Sequence, residues 1–314
     1  MQNKALHAIF ALLISCLGQS VAYSQQPSDQ TDPNDQWIRV QSDNGEFSIE
    51  VPVKYKFYYD KDGFSVSYMN RGEYQLKNMR MLNAFHSGTL LSFEVYEVKK
   101  GALNAIYESD TYKKNDIEKS KIKRTDHYIQ QIEQKTDKFF LVRQYFNSKT
   151  HIYILTAASR TNETPSMRRF LDSLVFKQNT KDVLDPKGVL LSKLPITQIG
   201  VEERLEKEPV YPQVAVKPPD KPKDENIIPF TIVVKHRASY TDQARRNGIK
   251  GTIRLKPTLS ADGFVPHIVV TQSLPNGLLR QALFAAIRIK FLPKENHGTF
   301  ETVVATVEYG FDIY

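Results

Sequence analysis

Cysteine is almost absent from this chain: Cys16 is the only one in 314 residues. No intrachain disulfide can form, so any folded unit must hold itself by burial alone. Long apolar runs are missing too. The main one, Ala5–Leu17, is broken only by His7, Ser15 and Cys16, and it is shorter than the ~20 residues a spanning helix needs. Concentrated positive charge is lacking, although the formal net charge is +8. Lys and Arg are spread through the chain as on solvated faces, so no nucleic-acid partner is expected. Histidines are few and scattered. His86, His127 and His151 have no second His or Glu at ligand spacing, so no metal site is expected. No nucleophile stands beside a base and no carboxylates are paired. The chain therefore offers no catalytic residue and no cofactor site, and it reads as a binding protein and not an enzyme.

The composition is that of a globular protein, 40% hydrophobic and 25% charged, and the length suffices for two cores. Residues 1–24 read as an export signal, with Lys4 ahead of the apolar core and the small residues Ala22 and Ser24 before a cleavage point at Gln25. Leu13–Cys16 also resembles a bacterial lipobox, which makes Cys16 a lipidation candidate. Three fates stay open: cleavage, lipidation at Cys16, and retention as an anchor. All three put the bulk of the chain outside the cytoplasm, in the periplasm or envelope. Residues 25–35, polar with Pro27 and Pro33, read as a disordered leader.

Residues 36–181 read as an α+β domain. Strand patterns recur at Trp37–Val40, Phe47–Val51, Phe57–Tyr59, Phe64–Tyr68, Met79–Phe85, Leu90–Val98, Tyr128–Ile132, Phe139–Phe146 and His151–Ala158, with period-two alternation at Phe47–Val51 and Phe64–Tyr68. In Leu90–Val98, Leu91, Phe93, Val95 and Glu97 share a face. Residues 102–119 form one helical candidate and Ser166–Leu174 another, capped from Thr161–Pro165. An antiparallel sheet with two helices is expected. The "FSIEVP" at Phe47–Pro52 and the "FLDSLVF" at Phe170–Phe176 resemble the PsbP-like α/β sandwich family, which implies a protein-docking fold. Residues 182–229 then read as a linker, since Pro209, Pro212, Pro218, Pro219, Pro222 and Pro229 alternate with charged residues and favour an extended spacer.

Residues 230–314 read as a second, smaller α+β module with a three-stranded antiparallel sheet and two helices. Thr241 caps a helix over Asp242–Arg246, and Asn247–Gly248 ends it. Strands at Thr252–Leu259 and Phe264–Thr271 flank a turn at Ser260–Gly263. Pro257 implies an edge or a bulge. Leu279, Ala282, Leu283, Ala286 and Ile287 form the apolar stripe of the main helix, with Arg280, Gln281 and Arg288 off it. The last strand, Thr302–Ile313, puts Val303, Ala305, Val307, Tyr309, Phe311 and Ile313 on one face.

This order, with "YTDQARRNGIKGTIRLKPTLSADG", "RIKFLP" and a closing "VEYGFDIY", resembles the TonB C-terminal domain family. The resemblance implies a periplasmic module that adds a receptor peptide to an exposed strand. Tyr240, Thr302, Val304, Thr306, Glu308 and Asp312 are the partner-contact candidates that follow. The implied partners are an outer-membrane receptor or another envelope protein. A structural envelope role, binding peptidoglycan or forming a homodimer, is the alternative. Two departures stand out. The family's Tyr-Pro pair before its first helix is here Tyr240–Thr241. A folded domain also stands where an energy transducer would begin its spacer, so coupling to a membrane motor is not expected.

Overall fold

The computed structural model describes residues 36–62, 64–67, 73–98, 128–148, 150–176, 187–205, 224 and 226–312. The export segment with Cys16, the leader, the helical candidate at 102–119 and Ile313 lie outside them. The described residues from Trp37 onward fall in one compact unit.

The strands run β1 (Trp37–Gln41), β2 (Phe47–Pro52), β3 (Tyr55–Asp60), β4 (Phe64–Ser67), β5 (Glu73–His86), β6 (Thr89–Val98), β7 (Tyr128–Lys135), β8 (Phe140–Asn147) and β9 (His151–Ser159). Helix α1 (Pro165–Asp172) follows, then β10 (Val175–Phe176), β11 (Val189–Leu190), β12 (Gly200–Glu203), β13 (Ile227–Ile228) and β14 (Thr231–Val234). The remainder is α2 (Asp242–Arg246), β15 (Gly251–Leu259), β16 (His267–Gln272), α3 (Leu278–Ile287), β17 (Lys290–Leu292), β18 (Lys294–Asn296), β19 (Thr299–Glu301), β20 (Val303–Val304) and β21 (Val307–Phe311). The fold is mixed α+β and rich in strands.

A seven-stranded antiparallel sheet in the order β3-β5-β6-β9-β8-β7, with β4 also on β5, forms the middle layer. One face packs on α1 and on a small sheet ordered β10-β2-β1-β11. There Leu91, Phe93 and Val95 of β6 meet Phe47, Ile49, Val51, Met167 and Phe170. Thr164 caps α1, its hydroxyl accepting from the Met167 N–H at 3.1 Å.

The other face carries the second module. Leu90, Leu141 and Ala158 pack on Val233, Val234 and Leu292. Tyr58 and Met81 pack on Phe264. Thr89–Tyr96 are thus buried without interruption, as in a strand covered on both faces. At the centre of this second face lies a buried ion cluster. The Glu94 carboxylate is 2.9 Å from Lys290 Nζ and 3.1 Å from Arg288 Nε, and all three side chains are enclosed. Tyr96 donates its hydroxyl to Glu94, Lys290 donates to Asn83 Oδ1 at 3.2 Å, and the Arg288 guanidinium lies 5.3 Å from the Tyr96 ring centre. Burial pushes the Glu94 carboxyl up. The charges of Lys290, Arg288 and His236, with the Tyr96 hydrogen bond, more than offset this and hold it well below its ordinary value.

Three sequence expectations change here. The helix stripe is wider than one face: Leu278, Gln281, Ala282, Phe284, Ala285 and Ala286 are buried, while Leu279, Leu283 and Ile287 are half-buried. The helix is covered by its own sheet and by the seven-stranded one, which is why Arg288, expected off the stripe, is enclosed. Residues 187–205 of the expected linker are built into sheets. There β11 pairs in parallel with β1, and β12 pairs in parallel with β16. Thr197 also exchanges bonds with the Phe57 backbone. Pro209, Pro212, Pro218, Pro219 and Pro222, on which the extended spacer rests, lie outside the described residues. Pro257, finally, lies in β15, which is central and not an edge. Its effect falls on the neighbour: the Ala305 N–H donates to the Pro257 carbonyl at 3.0 Å, but proline has no N–H to return. The gap between β20 and β21 falls opposite it.

Candidate functional site

The module's sheet runs β12-β16-β15-β20, with β21 also on β15. At one margin stands β12, which pairs only with β16 among the described residues and whose Gly200 N–H donates to the Pro266 carbonyl at 3.0 Å. On the other margin, β20 and β21 pair only with β15 among the described residues. Antiparallel pairs alternate between bonded inward and bonded outward. Register Leu255–Val307 to Gly251–Phe311, with the Ala305-to-Pro257 bond, makes the odd residues the inward set. Thr306, Glu308 and Gly310 therefore turn their backbone groups outward.

Side chains follow the same period. Ala305, Val307, Tyr309 and Phe311 are buried in the module core. Val304, Thr306, Glu308 and Asp312 are exposed, Val304 at 65%. The strand thus brings four of the six sequence candidates onto one solvent face beside an open edge. Glu308 is tied across the sheet, its carboxylate 2.7 Å from Arg254 Nε. The other two candidates serve the fold. The Thr302 hydroxyl accepts the Ala261 N–H at 3.1 Å, holding the β15–β16 turn. Tyr240 is half-buried with its ring 6.0 Å from that of Phe311, and its hydroxyl donates to the Ile249 carbonyl. Arg245 lies 5.4 Å over the same ring. Tyr240 therefore anchors α2 against the end of β21.

Sequence reading missed Lys235. Its ammonium donates to the Glu308 carbonyl at 3.1 Å and lies 5.3 Å from the Tyr309 ring centre. Burial lowers its pKa and the Glu308 charge only partly restores it. A lysine just after the β-branched run Thr231–Val234 was the available signal, since lysines often guard strand edges. Gly310 was missed because its contribution is backbone only. Among the described residues no group of three His, Cys, Asp or Glu side chains is placed to hold a metal, and no helix is long and apolar enough to cross a membrane.

A family model described as the Gram-negative bacterial TonB protein C-terminal matches residues 236–313. Among solved structures, the chain is similar to the solution NMR structure of the Pseudomonas aeruginosa TonB CTD. That match has 25% identity over 29% of this chain and 90% of that one, with a TM-score of 0.24. It is also similar to a crystal structure from Bacteroides thetaiotaomicron VPI-5482, at 8% identity over 46% of this chain and 50% of that one, with a TM-score of 0.30. A search of curated proteins gives no match.

Proposed function

Because residues 236–313 belong to the TonB C-terminal domain family, we propose that this chain is an exported envelope protein that binds partners by strand addition at the β20–β21 edge. The protein acts as a binding partner in TonB-related transport and not as an enzyme. The partner is an outer-membrane receptor or another envelope protein, which contributes one extended segment. The observation that carries the reading is the margin of β21 that no described strand pairs, with the backbone groups of Thr306, Glu308 and Gly310 turned away from β15. Main-chain hydrogen bonds there supply affinity, and the exposed side chains beside them supply selectivity.

The test uses peptides, so the protein's own fold is untouched. Extended peptides from outer-membrane receptor plugs are titrated into the full chain by calorimetry. N-methylation at every second residue removes the donors facing β21, whereas methylation of the alternate set leaves them. Binding that survives in only one of the two sets is the expected result. Equal binding by both, or none by the parent peptides, sinks strand addition. The same open edge supports a second reading, pairing with its copy in another chain as a homodimer. Sedimentation of the peptide-free protein separates the two, because a monomer at high concentration leaves only the heterologous partner.

A further inference from the structure

The β21 edge is open to a third strand, but one of its acceptors is already in use. Lys235 reaches across from the end of β14 and donates to the Glu308 carbonyl at 3.1 Å. That carbonyl is one of the three outward-turned positions. The lysine is held there by its neighbours, because Val234 is buried in the packing against the seven-stranded sheet and His236 is buried beside Glu94. Lys235 touches Glu308 through the backbone, while the Glu308 carboxylate sits at 2.7 Å from Arg254. The ammonium therefore bonds a carbonyl and faces an aromatic ring, with the nearby Glu308 carboxylate turned to Arg254, so a carboxylate bonded to it directly would serve it better. Burial that depresses its pKa agrees with this.

We propose that Lys235 is a guard on the strand-acceptor edge, displaced by an incoming extended peptide that carries a carboxylate to receive it, so the site selects an acidic strand over a neutral one of the same shape. The proposal rests on the strand-addition reading above. A neutral strand must strip the Glu308 carbonyl from Lys235 and return a half-buried ammonium to water. An acidic strand takes the carbonyl with its own N–H and pairs the ammonium with its side chain.

The probe is a set of eight-residue alternating Thr/Val peptides with one Glu walked along the sequence, and a matching set with Gln in its place. Both are titrated into the full chain and its Lys235→Met and Lys235→Arg variants, each checked for native circular dichroism. The wild type should prefer the best Glu peptide over its Gln partner by about three- to tenfold, the range of a partly buried charge pair. Lys235→Met should bind the Gln peptide severalfold tighter than wild type and show a Glu/Gln ratio near one. Lys235→Arg should keep the preference. An unchanged ratio and unchanged affinities in Lys235→Met overturn the guard and leave strand addition standing. No binding of any peptide to any of the three proteins overturns strand addition and the guard with it.

Discussion

Glu94 is the residue on which the joint between the two layers turns. Its carboxylate faces Lys290 and Arg288 in an enclosed site. Replacing it with Gln leaves two buried cations without their counter-ion, and breaking a buried pair costs about 3–5 kcal/mol. Glu94→Gln should lower the urea midpoint accordingly, whereas the surface change Arg168→Gln, which loses only an exposed pair with Glu163, should move it little. The acid limb carries the sign. The folded-state pKa of Glu94 is held below the ordinary 4.5, so its contribution is fully present above that value. It is lost as pH falls from there toward the folded pKa. Urea midpoints at neutral and acid pH should therefore differ less in Glu94→Gln than in wild type. An equal difference would show that other carboxylates carry the acid sensitivity.

Gly263 is a second position where one side chain decides. Its φ is +75°, and a Cβ there would stand 3.0 Å from that of Phe85 on β5. Gly263→Ala should cost about 1–2 kcal/mol from the left-handed backbone alone, read as a lower thermal midpoint. A neutral outcome would mean that the turn and Phe85 yield together.

At the scale of elements, the gap between β20 and β21 is a consequence of one missing donor. Pro257→Val supplies an N–H opposite the Ala305 carbonyl. Its net gain of about 0.5–1.5 kcal/mol is offset by the ~0.4–1 kcal/mol that proline contributes through the unfolded chain. Stability should hardly change. Amide exchange should nevertheless show residue 257 protected. A rapidly exchanging amide there would mean that the gap has another cause. The outward positions at Thr306, Glu308 and Gly310 should stay as they are, so strand binding should survive this substitution.

At the scale of the molecule, the C-terminal module packs on the first domain's sheet. Its β14–β17 pair is seated on the seven-stranded sheet through Val233, Val234 and Leu292, and its α3–β17 corner through the Glu94 cluster. Residues 196–204 add a stitch from β3 to β16. Trp37 fluorescence should report the first layers, and amide exchange of β15 the module. Both should lose structure at one urea midpoint in wild type. Two separated transitions would mean that the joint is weaker than its burial implies.

Much of this was legible from the chain itself. The alternation of Phe47–Val51, the Thr241 cap and the Val307–Phe311 face depend on neighbours a few residues away. Local periodicity states such neighbours directly. The motif order after Tyr240 was enough to point to the family that matches residues 236–313. What the sequence could not contain was the partner of each surface. Arg288 and Lys290 look like solvated cations at a helix exit until β6 brings Glu94 to within 3.1 and 2.9 Å, some two hundred residues away in the chain. Lys235 looks like one charge among many until β21 presents a carbonyl to it. Local residue order determined the elements and their inner faces. Only the tertiary structure decided which charges would be buried together, because a charge enters the interior only when folding delivers its counter-charge from elsewhere in the chain.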